Sequence, residues 1–331
     1  MWDGAPDVRT HSGCPGRAVS STLFVVDAWD DRERAALVAL LRVRPDRMTW
    51  PQIAAEVADS GSARAVWDRL RPQAPFETEI DTAGGQSELD VASMDIESWR
   101  LDGFRFLTFQ DADYPAQLRE VQQMPPVLFT QGTLQPGEAA VSVVGSRKAS
   151  PTALRTARDI ATGLSDAGVT VLSGLAEGID TAAHSAALNV GGRTVAIIGT
   201  GIRKYFPAAN RALQIRIATS GLVVSQFWPD APPTKQTFPM RNATMSAYGR
   251  ATIVVEAGEQ SGARIQARSA VAHGRPVILL DAVASGTNWG RSLLGEPGVY
   301  PAANAHEAVE RALGIVTDRS HLAKLLAMVG E

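Results

Sequence analysis

The chain has 331 residues, of which 45% are hydrophobic and 20% charged, and its net charge is −3 at pH 7. These values are typical of a globular protein with a sizeable core and exclude a largely disordered chain. The single cysteine, Cys14, excludes an internal disulfide framework and a cysteine-rich zinc module. No apolar run approaches the roughly 18 residues of a membrane span, and the start lacks the order of a secretion signal. We therefore expect a cytoplasmic protein of about two domains with no membrane partner.

The small net charge conceals an uneven distribution along the chain. Residues 1–140 contain 13 basic and 22 acidic side chains, whereas residues 141–275 contain 15 basic and 7 acidic ones. A basic segment of this size suggests an anionic partner. A solvated basic face without any partner explains the same numbers, and charge alone does not separate the two interpretations.

The N-terminal part is predicted to be helical. Residues 1–20 are rich in Gly, Pro and Ser and are expected to form a flexible arm. Residues 21–100 are expected to form a small helical domain. Three helices are predicted in it: one from Asp31 that stops at Pro45, one over Trp50–Asp59 and one over Ala63–Leu70. The polar stretch 72–90 is typical of a linker or a long loop.

Apolar segments alternate with helical ones over residues 101–315. Residues 104–134 predict a short strand, a helix started by a proline, and a strand at Val127–Thr130. Six further strands are predicted at Val141–Val144, Val169–Ser173, Arg193–Ile198, Leu222–Ser225, Ala251–Val255 and Pro276–Asp281. Strands that are apolar throughout and separated by helices indicate a parallel sheet covered on both faces. Its ligand site is expected at the edge formed by the strand C-termini. Residues 316–331 are predicted to be a short C-terminal helix or tail.

The loops at this edge combine glycines with small polar or basic side chains. They read Gly145-Ser146-Arg147-Lys148, Ser173-Gly174, Gly199-Thr200-Gly201, and Glu256-Ala257-Gly258 followed by Ser261-Gly262. Glycine lets backbone N–H groups approach a phosphate, and helix N-termini add positive potential. Tight packing explains any one such loop, but four in register favour a phosphate-bearing ligand. The dinucleotide fingerprint and the Walker lysine motif are absent, which disfavours a NAD dehydrogenase and a P-loop ATPase.

A long loop over residues 228–242 follows the fourth of these strands, and a short helix is predicted after it at Arg241–Tyr248. The loop contains Lys235 and Phe238 and leads into Arg241 and Asn242. Cations beside an aromatic ring suit a nucleic-acid single strand, with charge on the backbone and the ring on a base. Pro239 predicts extended backbone at Phe238. A ring tucked into the core explains Phe238 equally well.

The sequence gives little support for catalysis or metal binding. The five histidines are scattered, and none lies next to an acidic cluster. Asp180 and His184 share a helix face, where a hydrogen bond is favoured over a metal. Ser173 and Ser261 have no evident histidine base. Metal-binding and nucleophilic sites are therefore disfavoured, and we expect no cofactor and no bound metal.

The same motifs carry a family resemblance. The order VGSR, SGLAEGIDTAAHSAAL, AIIGTGIRKYFPAAN, KQTFPMRN and VVEAGEQSGARIQA resembles the DNA-processing protein A family, also called DprA or Smf, over roughly residues 105–315. The resemblance implies an extended Rossmann-like fold after a small helical domain of the SAM or helix-hairpin-helix type. It implies a protein that is not an enzyme, that binds and protects single-stranded DNA, and that helps to load a RecA-type recombinase in DNA uptake and recombination. It also implies a homodimer formed through the Rossmann-like domain.

The resemblance further implies which residues meet DNA. Arg147 is implied to contact phosphate, and Lys235 and Phe238 to meet backbone and base. The remaining implied DNA-binding residues are the pocket-shaping Gly145, Ser146, Ser173, Gly174 and Gly262, together with Arg241 and Asn242 of the FPxRN segment.

Four positions depart from the family's usual pattern: Glu177 replaces an arginine, Arg203 an acidic residue, Gln226 a glutamate, and Ala263 a serine or threonine. A carboxylate at the pocket rim is expected to weaken DNA binding, unless Glu177 and Arg203 form a relocated charge pair. The alternative function is a nucleotide-binding Rossmann-like enzyme or sensor for a nucleoside monophosphate or an ADP-ribose-like ligand. Hydrolysis is disfavoured because Gln266 stands where the hydrolase relatives carry a glutamate. A protein-interaction scaffold is a third interpretation, against which the basic segment argues.

Overall fold

The computed structural model of the protein describes residues 29–70 and 87–329, with side chains described up to residue 318. The predicted flexible arm, residues 1–20, and most of the predicted linker, residues 72–90, lie outside this part. No helix within it is long and apolar enough to cross a membrane.

Helices form the N-terminal part of the described chain. They are α1 (Asp31–Val43), α2 (Trp50–Ser60), α3 (Ala63–Leu70) and α4 (Glu88–Leu101). The first three agree with the predicted helices, whereas α4 was not predicted. Its start is a capping box, in which Ser87 accepts from the backbone of Asp90 and the Asp90 carboxylate accepts from the backbone of Ser87. This signal lies in a stretch whose polar composition suggested only a linker.

The described residues form one sheet of nine strands, in the order β1-β2-β6-β5-β4-β3-β7-β8-β9. The strands are β1 (Arg105–Thr108), β2 (Val127–Gly132), β3 (Ala140–Val144), β4 (Thr170–Ser173), β5 (Thr194–Ile197), β6 (Leu222–Ser225), β7 (Ala251–Val254), β8 (Val277–Leu280) and β9 (Val299–Ala302). The strands from β6 to β9 in this order are parallel, so the predicted α/β fold is confirmed. The sheet is nevertheless mixed, because β2 runs antiparallel to both β1 and β6.

The antiparallel strands have a local cause. The connection from β1 to β2 contains only a 3-10 turn, Ala116–Glu120, and no α-helix crosses the sheet between these strands. A parallel neighbour needs a longer crossover, usually a helix, so β2 pairs with β1 in the opposite direction.

Helices cover both faces of the sheet. Those of the C-terminal part are α5 (Pro151–Asp166), α6 (Ile179–Asn189), α7 (Arg211–Ser220), α8 (Thr237–Tyr248), α9 (Gly262–Ala272), α10 (Asp281–Ala284), α11 (Asn288–Leu293) and α12 (Ala305–Val329). On one face α5, α6 and α12 pack on β3, β4, β7 and β8. On the other face α8 packs beside α9. The helix α12 is continuous through residue 316, where the sequence suggested a boundary.

The helical region and the sheet share one apolar core. Trp99 of α4 packs its ring 4.9 Å from that of Phe129 on β2 and 5.0 Å from that of Phe106 on β1. It also stacks on Trp228, which follows β6, at 5.9 Å. Burying such rings stabilises a fold substantially, so these contacts fix α1–α4 against the edge of the sheet.

Candidate functional site

The strand order reverses at β3, and this reversal positions a cavity. Strands β4 to β6 are added on one side of β3, and β7 then returns to its other side. In open α/β sheets, ligands bind at such a point, outside the carboxyl ends of the strands. A cavity of about 580 Å³ lies here, lined by residues 144–148 after β3, by the first half of α8, and by residues 258–266 leading into α9. We call it the sheet-edge cavity.

Glycines serve two purposes around this cavity. A Cβ on Gly145 would lie 2.6 Å from Cγ1 of Ile179, and one on Gly199 would lie 2.8 Å from the Phe238 ring. These glycines, and Gly174 in the same way, are required by packing of protein on protein. Gly258 and Gly262, by contrast, have nothing within 4 Å of a Cβ and face open space. Packing therefore explains the need for glycine at Gly145, Gly174 and Gly199, whereas Gly258 and Gly262 leave open space beside the cavity.

A cation and an aromatic ring meet at the mouth of the cavity. The Arg147 guanidinium lies 5.3 Å from the centroid of the Phe238 ring. The ring of Phe206 approaches Phe238 at 5.7 Å and is 40% exposed. Phe206 was missed from the sequence, although an aromatic residue before a proline in a loop after a strand was a usable signal. Within the described residues, the Arg147 nitrogens make no hydrogen bond or ion pair, so they are available to an anion.

These two aromatic residues separate the sheet-edge cavity from a smaller one. The side pocket, about 110 Å³, is lined by Gly174, Glu177 and Gly199 together with Phe206, Phe238 and Arg241. Arg147, Phe238 and Arg241 line both cavities. A ligand that occupies both cavities therefore contacts the Arg147–Phe238 pair.

Phe238 lies in a helix, contrary to the extended backbone predicted from Pro239. Helix α8 begins at Thr237, four residues before the predicted start at Arg241. Pro239 falls in the first turn of α8. A backbone N–H in that turn has no acceptor within the helix, so the N–H that proline lacks costs no hydrogen bond. Thr234 supports this start, since its hydroxyl accepts from the Thr237 backbone N–H at 3.2 Å.

Arg241 is buried and acts within the protein. Its Nη1 donates to the carbonyl oxygens of Gly174 and of Ile197, the latter at 2.8 Å, and its Nε donates to Oδ1 of Asn242 at 3.0 Å. The guanidinium thus joins α8 to the ends of β4 and β5. Burial lowers the pKa of Arg241, and Asp180 acts in the opposite direction. The side chain predicted to complete a DNA-binding loop is used mainly to hold that loop in place.

Asp180 and His184 are buried on α6 near this arginine. Oδ2 of Asp180 accepts from the backbone N–H groups of Gly174, at 3.1 Å, and Ala176, at 3.2 Å. Burial raises the pKa of Asp180. Nδ1 of His184 lies 2.7 Å from Oγ1 of Thr194. The hydrogen bond expected for His184 therefore exists, but its partner is Thr194 and not Asp180.

The remaining predicted residues occupy different places. Asn242 is buried, and its Nδ2 donates to the Gly262 carbonyl at 3.4 Å, which links α8 to α9. Ser173 is fully buried, and its hydroxyl donates to the Val143 carbonyl at 2.7 Å. Lys235 is exposed and lines neither cavity. Of the ten predicted residues, the sheet-edge cavity brings together Gly145, Ser146, Arg147, Phe238, Arg241, Asn242 and Gly262.

The Glu256 carboxylate anchors the loop that carries Arg147. The sequence alone indicated no more for Glu256 than a place in a glycine-containing loop. The Glu256 side chain accepts from the backbone N–H of Ser150 at 3.0 Å and from its hydroxyl at 2.6 Å. The same hydroxyl accepts from the Ala153 N–H and caps α5. Ser146 N donates to the Glu256 carbonyl at 2.7 Å. Glu256 therefore fixes both ends of the loop that carries Arg147.

Glu177 is not part of a relocated pair with Arg203. Arg203 instead forms ion pairs with Asp102, at the end of α4, and with Asp230. Glu177 is exposed at the rim of the side pocket and forms no ion pair within the described residues. An uncompensated carboxylate therefore stands close to Arg147.

The acidic side chains nearest the cavity have partners within the protein. The described residues contain no group of three or more histidine, cysteine, aspartate or glutamate side chains that could hold a metal ion. Glu256 and Asp180 are engaged with backbone N–H groups, and Gln266, which lines the cavity, cannot titrate. The site is suited to binding through charge, rings and backbone.

The part of the chain that forms the sheet is similar to known proteins. A sequence profile described as DNA recombination-mediator protein A matches residues 105–312. The chain is 38% identical over 205 residues to the DNA processing protein DprA of Streptococcus pneumoniae, which covers 60% of this chain and 71% of that protein. It is 40% identical over 181 residues to Protein Smf of Synechocystis, covering 53% of this chain and 46% of the relative. The chain thus spans about half the length of the Synechocystis protein.

Solved structures show the same fold. The X-ray structure of DprA from Streptococcus pneumoniae has a TM-score of 0.63 at 27% identity, over 85% of this chain and 95% of that one. DprA from Helicobacter pylori, whose structure describes a single-stranded DNA binding mode of that protein, has a TM-score of 0.56 at 22% identity, over 64% and 96% of the two chains. Since the family profile covers more than half of the sequence, the chain belongs to the DNA recombination-mediator protein A family, known as DprA or Smf, whose members process DNA in recombination.

Proposed function

We propose that this chain binds single-stranded DNA in the cytoplasm at the sheet-edge cavity, protects it without catalysing a reaction, and helps to load a RecA-type recombinase onto it. The observation that carries the proposal is the unpaired Arg147 guanidinium over the half-buried Phe238 ring. A cation and a ring at one mouth offer a contact for a phosphate and a platform for a base. The single-stranded DNA binding described for the Helicobacter pylori relative supports this choice of ligand.

The pair acts in two steps. In the ligand-free protein Arg147 covers one face of Phe238, an exposed cation–π contact worth about 0.5–1 kcal/mol. A hydrogen bond to a charged group contributes about 1.5–3 kcal/mol. A phosphate therefore draws Arg147 off the ring. The freed face can then stack on a base, which contributes about 1–3 kcal/mol.

Backbone dipoles add to this attraction. Helices α8 and α9 both present their N-terminal turns to the sheet-edge cavity, and Lys148 lies on the opposite wall just before α5. Helix N-termini carry partial positive charge. These contributions do not depend on base identity, so they favour a binder without sequence preference.

The test is fluorescence anisotropy with a labelled single strand, a matching duplex and a mononucleotide competitor. We expect the single strand to bind more tightly than the duplex, with a log–log salt slope steeper than about −2 if three phosphates are neutralised. A salt-independent affinity, or equally tight binding of the mononucleotide, would contradict the proposal and favour a nucleotide sensor.

Two variants assign the roles. Arg147→Ala should make the salt slope shallower by about 0.7. Phe238→Ala should weaken binding about 5- to 150-fold with the slope unchanged, because a stacking contact and no phosphate contact is lost. Arg158→Ala is the matched control, since Arg158 is exposed on α5 and does not line the sheet-edge cavity. If Arg147→Ala binds like this control, Arg147 is not a phosphate ligand.

We also propose two protein partners, a RecA-type recombinase and a second copy of this chain. The family's description as a recombination mediator supports transfer of the bound strand to a recombinase. A homodimer through the Rossmann-like domain would let two cavities hold one strand. Sedimentation velocity tests the dimer, and faster assembly of a RecA-type filament on a strand covered by this chain tests the transfer. A monomer at all concentrations would contradict the dimer. An unchanged rate of filament assembly would contradict the transfer to the recombinase.

A further inference from the structure

A second groove lies on the other side of the first turn of α8. It has a volume of about 620 Å³ and is bounded by α1 and α2 on one side and by residues 227–240 on the other. We call it the α1–α2 groove. Among the described residues that line it are Arg42, Arg44, Trp50, Trp228 and Met240, and no carboxylate.

The groove has a fixed aromatic floor. The Trp50 and Trp228 rings meet edge to face at 5.4 Å. Nε1 of Trp50 donates to the Leu41 carbonyl at 3.0 Å, so this indole has no polar group left to satisfy and its orientation is set. Both rings are only partly buried, and Met240 beside them is 45% exposed. Trp228 stacks on Trp99 and has the Arg42 guanidinium 5.2 Å from its ring centroid, so Trp50 is the partly exposed ring of the groove on which a base can stack.

The groove also offers a free cation. Arg42 is already neutralised by Asp95, whose carboxylate lies 2.6 Å away. Arg44 is exposed, and only its Nε is used, donating to the Met48 carbonyl at 3.0 Å. Within the described residues its two terminal nitrogens make no hydrogen bond or ion pair. Arg44 also has a left-handed backbone, with φ of 51°, which a residue other than glycine adopts at a cost. That backbone holds the guanidinium at the rim of the groove.

The groove is continuous with the site already described. Phe238 and Pro239 line the sheet-edge cavity, whereas Gln236, Thr237 and Met240 line the α1–α2 groove. The two cavities are thus separated by one helical turn. Lys235 is exposed immediately before this turn and forms no ion pair within the described residues. A chain that leaves one cavity for the other has to cross only this turn of a helix roughly 10 Å wide.

We propose that the α1–α2 groove is a second subsite for the same nucleic-acid single strand, with Trp50 as base platform, Arg44 as phosphate ligand, and Lys235 as the cation at the crossing between the cavities. The inference rests on the proposed single-strand binding at the sheet-edge cavity. It gives the helical region a direct part in holding DNA, and it extends the length of strand that one chain holds.

Oligonucleotide length separates the two subsites. An oligothymidylate of about 6 nucleotides is short enough to fill the sheet-edge cavity alone, whereas one of about 20 nucleotides exceeds the site size of a single module. In the full-length protein, Arg44→Asn and Lys235→Gln should each weaken binding of the long oligonucleotide about fivefold at 0.1 M salt, the contribution of one phosphate contact. Arg44→Asn should leave binding of the short one unchanged. Asparagine is chosen for position 44 because it tolerates the left-handed backbone.

The control is Arg64→Asn, because Arg64 is an exposed arginine on α3 that does not line the groove. A second readout is tryptophan fluorescence: the long oligonucleotide should quench the wild type more than it quenches Trp50→Phe, and the short one should not distinguish them. If Arg44→Asn and Lys235→Gln bind the long oligonucleotide like the control, the groove is not a DNA subsite, and a peptide partner becomes the better occupant. If neither oligonucleotide binds the wild type, the proposed function itself fails.

Discussion

Arg147 and Arg241 carry the same charge in one site, but their surroundings give them different tasks. Arg147 is exposed with its nitrogens free, whereas Arg241 is buried and donates to two strand-end carbonyls. Removing a buried charged donor leaves those acceptors and the charge of Asp180 without their partner. We therefore expect Arg241→Ala to lower the free energy of unfolding by about 3–5 kcal/mol. At about 2–4 °C per kcal/mol, the melting temperature should fall by at least about 6 °C.

Thermal unfolding of both variants tests this division. Arg147→Ala should lower the free energy of unfolding by no more than about 1 kcal/mol, because it loses only an exposed cation–π contact. Arg241→Lys keeps the charge but not the fork of donors, so its stability should fall between those of the wild type and Arg241→Ala. Equal melting temperatures for the two alanine variants would show that Arg241 is not a structural residue.

Glu177 weakens the electrostatic attraction of the site. Its carboxylate is exposed at the side-pocket rim and is uncompensated within the described residues. Glu177→Arg should therefore strengthen single-strand binding by more than about fivefold at 0.1 M salt, because it removes a repulsion and adds one phosphate ligand. Glu177→Gln removes only the repulsion and should give a smaller gain. Anisotropy titrations at several salt concentrations measure both. Weaker binding by a stable Glu177→Arg protein would mean that the carboxylate itself contacts the ligand.

At the residue scale, the sequence predicted which residues occupy the edge loops better than it predicted what each side chain does there. Arg147 and Phe238 could be found because a cation and a ring in edge loops have few other uses. Arg241 and Ser173 could not be separated from them, since burial depends on packing between α8 and the ends of β4 and β5. The Ser150–Glu256 link joins residues 106 positions apart and leaves no local pattern.

At the scale of elements, His184 on α6 makes the stability of the fold depend on pH. Thr194 Oγ1 donates to the Val171 carbonyl at 2.7 Å, so it accepts from Nδ1 of His184. Nε2 is buried without a partner in the described structure, and a proton there would find no acceptor. Burial, helped by Arg241, lowers the pKa of His184 from 6.5 to about 3. The unfolded chain therefore binds more protons than the folded one between these two values.

This difference predicts acid sensitivity. Stability due to neutral His184 is complete above pH 6.5 and is lost as the pH falls toward about 3. Between pH 7 and pH 5 the loss from this group amounts to about 2 kcal/mol. His184→Asn can still donate to Thr194 but does not titrate. Denaturant unfolding at both pH values should show a drop for the wild type that exceeds the drop for His184→Asn by about this amount. An equal fall in the free energy of unfolding for both proteins would mean that protonation of His184 does not destabilise the fold.

Elements were predictable where one periodic signal dominated. The apolar strands β3 to β8 and helices α1 to α3 follow from such patterns. Helix α4 and the first turn of α8 were missed because composition and proline suggested loops, while capping at Ser87 and the threonine pair at 234 and 237 favoured helix. The short connection from β1 sets the direction of β2, whereas the pairing of β2 with β6 joins distant parts of the chain and is encoded by no local sequence feature.

For the whole molecule, the position of the helical region depends on shared aromatic packing. Trp99 is 4% exposed and contacts Phe106, Phe129 and Trp228, which belong to the sheet side of the core. The ion pair of Arg203 with Asp102 joins the same two regions at the surface, whereas its pair with Asp230 lies within the sheet region. Surface pairs contribute little, so the rings decide whether the two regions unfold together.

We expect one cooperative transition in thermal or denaturant unfolding, although the sequence suggested a domain boundary at residue 100. Four of the seven tryptophans, Trp29, Trp50, Trp67 and Trp99, belong to the helical region, so tryptophan fluorescence reports mainly on it, whereas far-UV circular dichroism reports on all elements. The two signals should change at the same denaturant concentration. Trp99→Ala should cost about 3–5 kcal/mol and separate them, with fluorescence changing first, because the helices lose their main anchor on the sheet. Trp99→Phe keeps a ring in the cluster and should preserve the single transition. If the wild type already shows two transitions, the helical region is a separate folding unit, and the α1–α2 groove would open independently of the sheet.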